Sequence, residues 1–136
     1  MQPWIMIQTG MVTGWEDKMN IREELGKRML FFDGGLGSLL QARGLKPGEL
    51  PETWNLSKPE ELLAIHKEYL EAGADIILAN TFGANRFKYD HLQEIVEAAG
   101  KNAKKAAEEC GRNAYVALDL GPTGKLLKPM GTLDFE

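Results

Sequence analysis

The sequence predicts an α/β protein whose strands run parallel and are joined by crossover helices. Three observations carry this. Three short runs, at residues 29–32, 76–79 and 114–118, are apolar throughout instead of alternating, as strands covered on both faces are. Stretches of helical periodicity separate them, the order that parallel strands with crossovers require. Each run also leaves into polar residues and glycine, and none begins that way: Asp33-Gly34-Gly35, Asn80-Thr81-Phe82-Gly83 and Asp119-Leu120-Gly121. In parallel α/β folds the ligand site lies at those carboxyl ends.

The elements follow in order. Asn20-Ile21-Arg22-Glu23 reads as a capping box opening a helix to about Arg28. The first strand, 29–32, ends in the glycine loop "DGGLGS". Leu36 to Arg43 predicts a short helix with Gly44 as its left-handed stop, and Leu45 to Leu56, broken by Pro47, Gly48 and Pro51, predicts a loop. Ser57-Lys58-Pro59-Glu60 reads as a second capping box. Its helix carries Leu62, Leu63, His66, Tyr69 and Leu70 on one face and stops at Gly73. After the second strand, Leu92 to Cys110 predicts a helix with Ile95, Val96, Ala99, Ala103, Ala106 and Ala107 on one face, stopped by Gly111. The strand ends Asp33, Asn80 and Asp119 are 47 and 39 residues apart. At about 40 residues per unit, eight units need roughly 300 residues, so the pattern is compatible with the first three parallel strands of a (βα)8 barrel. The rival architecture is a small open sheet with unprotected edges.

Composition narrows the function classes. The 136 residues suffice for one domain with a core, and 43 % of them are hydrophobic. A net charge of −4, with no basic cluster, argues against nucleic acid as a partner. No apolar run approaches the ~20 residues that span a bilayer, so no membrane partner is expected. Cys110 is the one cysteine, which excludes an internal disulfide and points to a reducing, cytoplasmic setting. Residues 1–18 open with fourteen fairly apolar residues that lack the basic start of a secretory signal and are soon followed by the acidic Glu16-Asp17. They are expected to be an extension outside the core, with the patterned domain at 19–136.

Four motifs then occur in order: "DGGLGS" after the first strand, "PETWNLSKPE" before a helix, "HKEYLEAGADIILANTFGAN", and "DLGPTG". Together they resemble the homocysteine S-methyltransferase family, and most of all the N-terminal homocysteine-binding domain of its cobalamin-dependent, methionine synthase branch. The resemblance spans about Met29 to Glu136. It implies a (βα)8 barrel that binds homocysteine and zinc at its carboxyl face, with zinc activating the thiol to attack a methyl group. In the methionine synthase branch the methyl sits on cobalamin held by another domain, and cobalamin- and folate-binding domains of the same chain are the implied partners. Elsewhere in the family the donor is betaine or S-methylmethionine. The resemblance places the zinc-ligand cysteines on late strands, downstream of Glu136, so no metal ligand and no catalytic residue is expected within these residues. Taken alone, they are expected to be inactive and to self-associate through open sheet edges. A stand-alone α/β binding module is the non-enzymatic rival.

The substrate-binding candidates are Asp33, Gly34, Gly35, Asn80, Thr81, Phe82 and Asp119. A carboxylate at a strand end pairs with an ammonium, and bare glycine amides near a helix start suit a carboxylate, so one loop can hold both ends of an amino acid. The alternative is an ordinary turn in which Asp33 caps the helix. Asn80 and Thr81 read either as pocket donors with Phe82 against the ligand's aliphatic part, or as a network satisfying the loop. Asp119 reads as orienting its neighbours or meeting the methyl-donor partner. His66 reads as a half-buried structural histidine, His91 as exposed near a helix start, and Trp54 as packing the first loop.

Overall fold

The computed structural model describes residues 20–135. The extension expected at 1–18 lies outside the described residues. Strand β1 (Ile76–Ala79) pairs in parallel with β2 (Tyr115–Leu118), Ile76 opposite Tyr115 and Ala79 opposite Leu118. On the other side of β1 the 29–32 segment runs in the same direction. Phe31 C=O accepts from the Asp75 and Ile76 amides at 2.8 and 3.0 Å, and Asp33 N–H donates to Ile76 C=O at 2.9 Å. The three segments therefore lie side by side with β1 in the centre.

Two expectations need correction here. The 29–32 segment is a single bridge, Phe32 to Ile76, not a strand, and it is not buried: Phe31 and Phe32 are 56 % and 59 % exposed. Likewise β2 is only half-buried, with Leu118 exposed. An apolar run records that both faces of a strand are apolar. It does not supply the neighbour, and among the described residues only β1 is flanked on both sides.

The helices are built largely as their sequence dictates. Asn20 caps α1 (Ile21–Glu24), its Oδ1 accepting from Arg22 N–H at 3.1 Å, but α1 is one turn long and ends well before Arg28. Helix α2 (Leu36–Ala42) stops at Gly44, whose φ of +102° is the left-handed conformation glycine adopts freely. The predicted 45–56 loop contains a 3-10 turn, Pro51–Thr53, and helix α3 (Trp54–Ser57). Trp54 organises it: fully buried, it donates its indole N–H to Glu49 at 2.7 Å and carries the Lys58 ammonium 3.7 Å above its ring. Pro59 opens α4 (Pro59–Glu71), yet Ser57 is no cap, because its hydroxyl donates to Thr53 C=O at 3.1 Å and closes α3. Helix α5 (Leu92–Glu109) buries Ile95, Ala99, Ala103, Ala106 and Ala107, as its periodicity predicts. The small alanine stripe lets α5 pack with Leu70 of α4 and Ile77 and Ala79 of β1 in one cluster. A second cluster, Leu40, Leu45, Trp54, Leu62 and Ile65, fixes α2, α3 and α4 beneath the glycine loop.

The amino ends of the strands are closed by charge. Glu24 accepts from Tyr115 Oη at 2.6 Å, Asn113 Nδ2 at 3.0 Å and Arg28 Nε at 2.6 Å. Asp75 accepts from Arg28 at 3.1 Å, Arg112 at 3.4 Å and Phe31 N–H at 3.0 Å. These partners hold Glu24 below the usual carboxylate range, with Tyr115 the largest influence. The carboxylates of Glu24 and Asp75 at the amino end are thus partnered by the chain itself, while the Asn113 Oδ1 is buried without a partner.

Candidate functional site

At the carboxyl end the structure gathers every sequence-predicted site residue around one cavity of about 400 Å³: Asp33, Gly34, Gly35, Asn80, Thr81, Phe82 and Asp119. That volume is within the range of small-molecule sites. A larger hollow of about 510 Å³ runs along the border of β2, but it is walled mainly by apolar groups such as Phe32, Ile76, Ala107 and Val116 and has no convergent set of acids.

Asp33 is the chemical centre of the smaller cavity. Its Oδ2 accepts from Leu78 N–H at 3.0 Å, which ties it to the middle of the sheet. Its Oδ1 is buried and has no hydrogen-bond partner. Burial pushes the carboxyl above its ordinary range and the Asp119 charge adds to that, against the Leu78 hydrogen bond. The helix-capping alternative does not hold, because Gly35 is the N-cap of α2 and no side chain caps it.

Gly34 is confined by what lies beneath it. Tyr69 reaches up from α4 and donates its hydroxyl to Gly35 C=O at 3.1 Å. A Cβ on Gly34 would stand 3.0 Å from that hydroxyl oxygen. Burial, followed by the Asp33 and Glu68 charges, pushes the Tyr69 phenol up, so it stays a donor.

The second strand end divides its labour. Asn80 Nδ2 donates to Pro51 C=O at 3.0 Å, and Thr81 Oγ1 donates to Asp119 C=O at 2.8 Å while accepting from Asp119 N–H at 3.1 Å. These two buried side chains therefore satisfy loop backbone, as the network alternative has it, while also forming the cavity wall. Phe82 is 58 % exposed and lines the cavity, and its carbonyl accepts from Gly121 N–H at 3.0 Å.

Sequence reasoning missed Glu52 and Asn55. Glu52 lines the cavity at 4 % exposure, its Oε1 accepting from Gly83 N–H and its Oε2 from Tyr89 Oη, each at 2.5 Å. Burial and the Glu52 partner push the Tyr89 phenol well up. Asn55 donates to Asn80 C=O at 2.8 Å and so clamps the end of β1. The available signal was an acid and an amide flanking a tryptophan straight after a proline; inside a proline- and glycine-broken stretch it read as loop.

The described lining holds Asp33, Asp119 and Glu52 but no lysine, arginine or histidine. The arrangement favours a cationic group beside Asp33, with the backbone of the glycine loop alongside. It does not fit a metal: no group of three or more His, Cys, Asp or Glu is placed to hold one among the described residues. Cys110 lies past the end of α5, its Sγ directed at Ala107 C=O, 3.0 Å away.

Parallel segments whose carboxyl ends enclose an acid-rich cavity are the arrangement in which α/β folds place their ligand sites. The chain belongs to the homocysteine S-methyltransferase family, whose profile matches residues 30–136. It is 31 % identical over 122 residues to methionine synthase of Mycobacterium tuberculosis (strain ATCC 25618 / H37Rv), covering 79 % of this chain and 10 % of that protein. The metallated form of the homocysteine methyltransferase MmuM from Escherichia coli matches with a TM-score of 0.65 at 23 % identity, over 76 % of this chain and 42 % of that one. Its oxidised form gives the same TM-score and identity over 78 % of this chain and 42 % of that one. At that identity the likeness is one of fold. The chain thus spans a tenth of the curated relative's length and under half of the solved structures.

Proposed function

We propose that these residues form the homocysteine-binding portion of a methyltransferase barrel of methionine synthase type. The observation that carries this is the unpartnered, buried Oδ1 of Asp33 inside an acid-lined cavity. A buried carboxylate oxygen without a partner is costly, and an ammonium supplies what it lacks. Asp33 accepts the substrate ammonium, the glycine-loop amides face its carboxylate, and Phe82 covers its methylenes. Thr81 and Asn80 hold the wall, and Asp119 reinforces the negative field.

The family resemblance supports zinc in the whole domain, where it would supply activation of the substrate thiol. The described residues do not supply its ligands, so these residues bind and orient the amino-acid end only. The identity to a methionine synthase supports methylcobalamin as donor over betaine or S-methylmethionine. Cobalamin- and folate-binding domains are then the partners, and a lone thiol fits a cytoplasmic setting.

Calorimetry with L-homocysteine and with 4-mercaptobutanoate, which lacks only the amino group, tests the proposal. Binding of homocysteine at least tenfold tighter is expected. Equal affinities would remove the ammonium from the recognition.

A further inference from the structure

The segment from Pro51 to Asn55 is more than a connector. It straps the end of β1 from outside, through Asn80 Nδ2 to Pro51 C=O at 3.0 Å and Asn55 Nδ2 to Asn80 C=O at 2.8 Å. Glu52 extends the strap beyond the strand, reaching Gly83 N–H and Tyr89 Oη. The approach is so close that a Cβ on Gly83 would sit 2.7 Å from Glu52 Oε1. On the other side Gly121 N–H holds Phe82 C=O at 3.0 Å. The exposed Phe82 ring is thus borne on a backbone pinned at Thr81, at its own carbonyl and at Gly83. A buried carboxylate costs free energy unless it is hydrogen-bonded, and both oxygens here are committed to the loop and to Tyr89 rather than to the cavity interior.

We propose that Glu52 is a positioning residue: through Gly83 and Tyr89 it holds the 81–83 loop, and with it the Phe82 wall, in the shape that receives the ligand. This rests on reading the cavity as the homocysteine site, and it deepens that reading by assigning its wall a support. Glu52 acts through other residues and makes no contact with the ligand's charge.

The test uses the full chain and three variants: Glu52→Ala, Glu52→Gln and Tyr89→Phe. Two readouts are taken, hydrogen exchange of the Gly83 amide without ligand and the dissociation constant for L-homocysteine. Glu52→Ala is expected to speed Gly83 exchange and to weaken binding about tenfold. Glu52→Gln keeps an acceptor for Gly83 and is expected to stay within about threefold of wild type, with Tyr89→Phe between the two. Gly83 exchange and binding both unchanged in Glu52→Ala would overturn the proposal. So would a Glu52→Gln variant that keeps Gly83 protection yet binds as weakly as the alanine variant, since that marks direct charge contact. If wild type itself does not bind homocysteine, the reading of the cavity fails, while Gly83 exchange still decides whether Glu52 holds the loop. Should the alanine variant not fold, the glutamine and phenylalanine variants decide the matter with the same readouts.

Discussion

Thr81 and Asp119, 38 residues apart, hold each other by two hydrogen bonds: Thr81 Oγ1 donates to Asp119 C=O at 2.8 Å and accepts from Asp119 N–H at 3.1 Å. Thr81 lies two residues beyond the end of β1 and Asp119 one beyond the end of β2, where the ladder gives out, so a side chain takes over the pairing. Replacing Thr81 with valine keeps the shape and leaves both Asp119 backbone groups unpaired. A loss of about 1–3 kcal/mol is expected. Urea unfolding measures it, and Thr81→Ser is expected to retain most of the stability.

Asp33→Asn separates binding from folding. The asparagine oxygen can still accept from Leu78 N–H, but the charge is gone. Homocysteine affinity is expected to fall about tenfold or more. Stability at neutral pH is expected to hold or rise, because the Asp33 carboxyl is shifted upward by burial. A raised acid pKa makes the fold less stable as pH rises through it, so the ionised group costs stability at pH 7. Wild-type binding is expected to fade on acidification at a higher pH than an ordinary carboxylate sets. Calorimetry across pH, beside melting curves of both proteins, checks each part.

His66 gives a second pH signature, of opposite sign. It is 1 % exposed, its Nδ1 has no partner, and burial pushes it down to about 4. The unfolded chain then takes up a proton that the folded one refuses. Stability is therefore complete above about pH 6.5 and falls as pH drops towards 4, by up to about 3 kcal/mol. Denaturant midpoints for wild type and His66→Leu between pH 7 and 4.5 are expected to show a flatter slope in the variant.

Much of this was legible beforehand, for physical reasons that differ by element. The α5 stripe of Ile95, Ala99, Ala103 and Ala106 was readable because helical periodicity and burial report the same thing. The cavity residues were readable because polar residues and glycine gather where the apolar runs end, and parallel α/β folds form their cavities at those ends. The 29–32 segment was misread because apolar character states what a strand tolerates, not which neighbour covers it. His66 was placed on the right face but is fully buried, since an imidazole's depth depends on what packs over it. Glu52 was unreadable because its burial comes from Gly83 and Tyr89, 31 and 37 residues further along the chain.

Gly121 is required by the same close approach that shapes the cavity. A Cβ there would lie 2.3 Å from Phe82 C=O and 2.9 Å from its ring. Gly121→Ala is expected to cost about 1–3 kcal/mol, as overpacking does, and to displace Phe82. Gly37, inside α2 with nothing within 4 Å of its missing Cβ, is the control. Gly37→Ala is expected to be neutral or slightly stabilising. Thermal melts of the two variants read the difference.

The apolar borders of the sheet predict association. Met29, Phe31, Phe32, Leu118 and Leu120 are exposed, and β2 is the last strand of the sheet among the described residues. Light scattering across a concentration series is expected to show a rising mass. A constant monomer would contradict this.

The most direct measurement is an NMR titration with L-homocysteine, following the backbone amides. Asp33, Gly34 and Gly35, Asn80 to Phe82, and Asp119 are expected to shift together and saturate with one affinity, since three chain segments border one hollow. Shifts confined to the apolar groove beside Val116 and Ala107, or to one strand end alone, would contradict a shared site.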